Sequence, residues 1–196
     1  MKLKHDYDGL LELLDSRRAQ AEKFLLFLEK KTNWLVAPAS TRHHLNVPGG
    51  LLQHSLMVTR TLLDVRDTLS PDYSDEACVM VGLFHDVGKV GAPDKPYYQV
   101  VRGPGGELGY RVNEDLVAMG MAVRSLYLIA PYVKLTDEEA QAICYHDGQY
   151  VPDNLVVKNR ECPLTLMLHF ADLWSSHQKE EVEDLAHVRQ LLEELQ

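Results

Sequence analysis

The stretch Gly82-Leu83-Phe84-His85-Asp86-Val87-Gly88-Lys89 decides the fold. It completes an uncharged apolar run, Ala77 to Phe84, that ends on an imidazole beside a carboxylate. A helix apolar on every side belongs at the centre of a domain. Ser74 is placed to cap its start, and Asp75 and Glu76 suit the positive end of its dipole. The helix is expected to stop near His85-Asp86, with Gly88 as its breaker. A His-Asp pair at the end of a buried helix is costly unless it is paired or bound to a metal. Its partners must come from elsewhere in the sequence.

Upstream, Gly50 closes a loop over 32–50 that contains Pro38, Pro48 and an unusually polar Arg42-His43-His44. The helix that follows, Leu51 to Leu69, turns Leu51, His54, Val58, Thr61 and Val65 to one side and Arg60, Asp64 and Asp67 to the other. His54 thus points inward, and taken alone it reads as a core histidine satisfied by a backbone carbonyl. Before the loop, Tyr7 to Lys31 has the apolar spacing of a long amphipathic helix whose phase shifts near Ser16 to Arg18.

Downstream, Tyr97 to Val101 and Leu108 to Val112 flank Gly103-Pro104-Gly105-Gly106 and read as a small β-hairpin. It is either a wall beside the His-Asp pair or a surface decoration. A helix is expected over 114–130, with Leu116, Gly120, Val123, Tyr127 and Ala130 inward. Thr136 to Glu139 is a capping box opening a short helix that ends near an inward His146. The helix from Pro163 to about His177 is apolar over most of its circumference, broken by one polar line of Thr165, His169, Asp172 and Ser176. An interior carboxylate on such a line requires partners. Val182 to Leu195 is amphipathic and reads as a helix docked on the domain, less readily as a dimer contact.

The expected fold is therefore all-α with a small β-hairpin insertion around residues 97–112. One domain over 1–196 is expected, with an N-terminal helix in 1–31, a core region over 38–177 and a C-terminal helix over 178–196. The formal net charge of −9 argues against a stable nucleic-acid partner or an anionic membrane. A small phosphorylated ligand is compatible with it, because a local metal or lysine outweighs the global field. Met1 to Asp8 lacks the apolar core of a signal peptide, and no apolar run approaches the ~20 residues of a membrane span. The 3 cysteines show no C-x-x-C spacing, so neither a disulfide frame nor a zinc knuckle is indicated. A soluble, cytoplasmic protein is expected, and a homodimer is compatible with the sequence.

Four inward-directed candidate ligands stand out: His54, His85, Asp86 and Asp172. A mixed N/O set suits Mn, Fe, Co or Ni, with Mg admissible, and argues against structural zinc. This order of ligands on a helical chain resembles the HD-domain metal-dependent phosphohydrolase superfamily. The blocks that carry the resemblance are Gly49-Gly50-Leu51-Leu52-Gln53-His54-Ser55, Leu83 to Lys89, Ala142-Ile143-Cys144-Tyr145-His146-Asp147-Gly148 and His169-Phe170-Ala171-Asp172, spanning about Pro38 to His177. His43-His44 followed by Gly49-Gly50-Leu51-Leu52 is similar to the branch containing HD-type 3′-to-5′ exoribonucleases.

The resemblance implies an HD-domain helical bundle with one divalent metal on His54, His85, Asp86 and Asp172. Some members hold a second metal with two further histidines. Here Met121 stands where one would be, and the other is kept as His146. One metal is therefore expected, with His146 as a phosphate contact and at most a weak second site near it. Asp86 would orient water, Lys89 would stabilise charge on the phosphoryl group, and Asp94 falls where a family carboxylate can activate water, or is an ordinary turn residue. His44 and Arg42 are candidate contacts to a substrate phosphate or base. The implied activity is hydrolysis of a phosphate ester or anhydride in a nucleotide or other small substrate. A 3′-to-5′ exonuclease on short RNA or DNA and a non-catalytic, metal-stabilised regulatory module are the alternatives.

Overall fold

The computed structural model describes residues 2–70 and 72–178. The chain folds as α1 (Lys2–Glu12), α2 (Arg18–Lys31), α3 (Gly50–Leu69), α4 (Asp75–Phe84), β1 (Tyr98–Arg102), β2 (Leu108–Val112), α5 (Met121–Ile129), α6 (Asp137–Tyr145) and α7 (Pro163–His177). The helix expected over 182–195 lies outside the described residues. Among those described, the fold is mostly helical with one two-stranded antiparallel sheet. No described helix is long and apolar enough to cross a membrane.

Helix α4 is the central element. Met80, Val81 and Leu83 are fully buried, and the Ser74 hydroxyl accepts from Ala77 N–H at its start. It packs on α3 at closest approach through Gly82, where an added Cβ would lie 2.8 Å from Thr59 Cα. A short connection makes α3 and α4 an antiparallel pair, so His54 near the start of α3 comes beside His85 just after α4. Helix α7 packs against α3 and α6 through Leu164, Leu168 and Ala171, all fully buried. Because α3 is held between two helices, its buried face is wider than one stripe and includes Leu56, Thr59 and Leu62, whereas Thr61 and Val65 are half-buried.

Several sequence expectations need correction. The phase shift near Ser16 is a complete break between α1 and α2. The helix expected over 114–130 starts only at Met121, and its buried residues include Ala122, Ser125, Leu128 and Ile129, while Val123 and Tyr127 are exposed. The reason lies in local competition for the backbone. Asn113 Oδ1 accepts from Asp115 N–H, and Arg124 donates to Val117 O, so side chains take backbone groups that a helix there would pair internally. Gly88 is not the breaker after α4. A 3-10 turn runs over Val87–Val90, and Gly91, at φ 84°, ends it. Gly88 instead allows close contact, since a Cβ there would lie 2.4 Å from Met121 O. On α7, Leu166, Phe170 and Trp174 stand half-exposed, because the neighbours among the described residues cover the helix from other sides.

The hairpin forms as expected, with Tyr98 opposite Val112 and Arg102 opposite Leu108. The capping box of α6 is complete, with Thr136 Oγ1 accepting from Glu139 N–H and Glu139 Oε2 accepting from Thr136 N–H.

Candidate metal centre

The loop before α3 is fixed to that helix by its own backbone. Leu51 N–H donates to Ala37 O at 2.9 Å, and Ala39 N–H donates to Leu45 O at 3.0 Å. Gly50 is required by this fit, because a Cβ there would meet Leu45 O at 2.1 Å. Within the loop, Ser40 Oγ donates to His44 O, which sets the His44 ring 4.7 Å from that of His54. The other side of the site is built by the end of α4, the start of α5, the end of α6 and the polar line of α7.

Five donor residues converge there. His54 Nε2 lies 3.0 Å from Asp172 Oδ1 and 3.7 Å from Asp86 Oδ2. His85 Nε2 lies 3.5 Å from Asp86 Oδ2 and 3.9 Å from Asp172 Oδ1. His146 Nε2 lies 3.7 Å from Asp86 Oδ1, on the opposite oxygen of that carboxylate. Ligands around a cation at ~2.1 Å stand about 3 Å apart in cis and about 4.2 Å apart in trans, and the separations among His54, His85, Asp86 and Asp172 are of that size. His54, His85 and Asp86, and separately His85, His146 and Asp172, bring ligand atoms within 4.8 Å of one another.

The tautomers are set by hydrogen bonds on the far side of two rings. His85 Nδ1–H donates to Gly82 O at 2.8 Å, and His146 Nδ1–H donates to Ile143 O at 2.7 Å. The neutral His85 ring then turns an Nε2 lone pair into the site, the arrangement expected of a metal-binding imidazole, while His146 turns its Nε2 toward Asp86. Both ring nitrogens of His54, and Nε2 of His85, are buried without a hydrogen bond, although Asp172 Oδ1 lies 3.0 Å from His54 Nε2. Buried ring nitrogens without partners beside two carboxylates are unfavourable, and a cation would satisfy them. The residues therefore fit a divalent metal.

Charge in the site follows from the same contacts. Burial pushes the His85 imidazole down to about 4, overriding the pull of Asp86, so the ring is neutral and able to ligate. Burial, then the neighbouring His54, pushes His44 down to about 4 as well. Asp86 and Asp172 would be raised by burial, but Lys89 and His85 hold Asp86, and His54 holds Asp172, well below the usual carboxylate range. His146 goes the other way. Burial opposes its charge, yet contact with Asp86 raises it to about 9 in the metal-free site. Lys89 Nζ donates to Asp86 Oδ2, and its side chain is only 16% exposed.

A cavity of about 260 Å³ opens onto these groups, lined by His44, Lys89, His146 and Asp172 among others. The structure thus brings together His54, His85, Asp86, Asp172, Lys89, His146 and His44. Arg42 is exposed in its loop and does not line the cavity. Asp94 also lies outside the lining, exposed in the tight turn between Ala92 and Lys95 at φ 62°. Three lining residues have no role assigned from the sequence: Ser176, Asp147 and Met121. Ser176 shares the polar line of Asp172, and its Oγ lies 3.5 Å from both Asp172 Oδ1 and His44 Nε2. Asp147 is adjacent to His146, whereas Met121 is brought in by the packing of Gly88 on the start of α5.

Comparison with protein-family models, with curated proteins and with solved structures gives no match for this chain.

Proposed function

We propose that this chain is an HD-type metal-dependent phosphohydrolase that cleaves a phosphate ester or anhydride of a nucleotide or another small phosphorylated substrate. The observation that carries the reading is the pair of buried, unpartnered Nε2 atoms of His54 and His85 facing Asp86 and Asp172. These four residues would hold one divalent transition metal, or Mg. When bound, such an ion supplies Lewis acidity toward a phosphoryl oxygen and makes a coordinated water more acidic.

The chain's own groups supply the rest. Asp86 has one oxygen toward His54 and His85 and the other toward His146, which lets it orient an attacking water by hydrogen bonding. Lys89 lies on the same carboxylate and provides fixed positive charge where the phosphoryl group would sit. His146 Nε2 offers a second donor to a phosphate oxygen when protonated. His44, neutral and supported by Ser176, positions a substrate oxygen from the cavity wall. The cavity is small and the chain acidic, which favours a compact phosphate compound over a polymer. Asp94 and Arg42 have no part in this scheme.

The test is incubation of metal-loaded protein with nucleotides, a simple aryl phosphate and labelled oligonucleotides. Release of phosphate, pyrophosphate or triphosphate from the small substrates is the expected result. Laddering from oligonucleotide 3′ ends would replace this reading by an exonuclease. No hydrolysis with Mn, Fe, Co, Ni or Mg would leave a binding or regulatory module.

A further inference from the structure

A second cavity, about 390 Å³, is lined by the residues that follow Asp147, from Gly148 to Tyr150, and by Asn154, Glu161, Thr165 and His169. Asp147 lines the metal pocket and Gly148 lines this one, so consecutive residues border the two cavities. They also share a helix. On the polar line of α7, Asp172 and Ser176 face the metal pocket, while His169 and Thr165 line the second cavity. At 1.5 Å per residue, Asp172 is about 5 Å along the axis from His169 and about 10 Å from Thr165. That is the reach of a sugar joining a phosphate to a base.

The chemistry of the second cavity differs from that of the first. No lysine or arginine lines it, and its charged residue is Glu161, so a second phosphate would be repelled. Aromatic faces are available instead: Tyr150, 75% exposed, has its ring 6.1 Å from that of His169. Polar groups remain open beside them. Asn154 Nδ2 is committed to Gly148 O, which leaves its Oδ1 as an acceptor. His169 Nδ1–H donates to His146 O at 2.6 Å, so a neutral ring has Nε2 as an acceptor. Gln149 adds an amide that can both donate and accept. A planar, neutral ligand with hydrogen-bonding edges fits this lining, and a nucleobase has those properties.

We infer that this cavity is a nucleobase subsite, which takes the base of a nucleotide whose phosphate occupies the metal pocket. The inference rests on the phosphohydrolase reading for its link to the metal pocket, but base binding can be tested without turnover. Nucleosides lacking phosphate are titrated into metal-free protein by calorimetry and by NMR. Binding is expected, with shifts at Tyr150, Asn154 and His169. Tyr150→Ala, at an exposed position, should weaken it about tenfold through lost stacking, and Glu161→Gln should change the preference among bases. In turnover, the kcat/KM ratio of nucleotide to phenyl phosphate should fall about tenfold in Tyr150→Ala. Nucleoside binding lost in that variant supports the subsite even if no phosphate is ever released. Absence of nucleoside binding to the wild type, or binding that both variants leave unchanged, overturns it even if aryl phosphate is hydrolysed.

Discussion

Asp172 shows how one residue can announce a site by breaking the pattern around it. It interrupts a helix rich in leucine and aromatic residues, and an interior carboxylate needs compensation. The fold supplies His54 at 3.0 Å, with His85 beyond it. The same logic picks out His54, His85 and Asp86, each polar at an inward position. It does not pick out Met121 or Asp147 as pocket walls, because neither breaks a local pattern. Asp94 and Arg42 lie in exposed loops that do not support the roles the sequence suggests for them. Lys89 and His146 carry the clearest residue-scale predictions. Lys89→Ala should lower kcat/KM about 10²- to 10³-fold, as loss of one charge-stabilising group does, with metal content unchanged. His146→Gln should likewise retain metal while losing activity. Metal analysis beside steady-state kinetics checks both, and loss of the metal in His146→Gln would make that residue a ligand.

Among the elements, those with strong local signals are legible in the sequence. The Ser74 cap, the Thr136 capping box and the hairpin around Gly103 to Gly106 each depend on residues near in sequence. The start of α5 is not, because Leu116 and Gly120 continue a helical spacing, whereas Asn113 and Arg124 bond the intervening backbone otherwise. The crossing of α3 and α4 is also beyond local patterning, since nothing near Gly82 announces that Thr59 will lie against it. That contact brings His54 toward His85, so under the proposed function it would constrain the site as well as the packing. Gly82→Leu places side-chain atoms where Thr59 Cα stands and should cost about 1–3 kcal/mol or more. Chemical denaturation measures the loss, and weaker metal binding should accompany it if the crossing positions the ligands.

At the scale of the whole molecule, Arg17 joins three separated parts of the chain. It lies in the break between α1 and α2, and its guanidinium bonds Glu76 on α4 at 3.0 Å and Glu139 on α6 at 2.6 and 2.7 Å. Glu76 also accepts from the backbone of Asp15 and Arg17. Removing Arg17 leaves two buried carboxylates without their cation. Arg17→Met should therefore destabilise the fold by about 3–5 kcal/mol, as measured by urea unfolding. The pH dependence follows from Glu76. Burial would raise its pKa, but the bonds from Arg17, Ser16 and Asp15 hold it at about 2 against an ordinary 4.5. A carboxyl depressed on folding contributes stability that is complete above about 4.5 and lost as pH falls toward about 2. The unfolding midpoint should drop across that window, and Glu76→Gln should flatten the drop.

The central claim is that His54, His85, Asp86 and Asp172 hold one divalent metal. Elemental analysis of protein purified without added metal, compared with Asp172→Ala, tests it most directly. The account predicts about one divalent metal per wild-type chain and a large loss in a folded Asp172→Ala. Wild-type protein that binds no divalent metal even after loading, or an Asp172→Ala variant that retains the full equivalent, would contradict it.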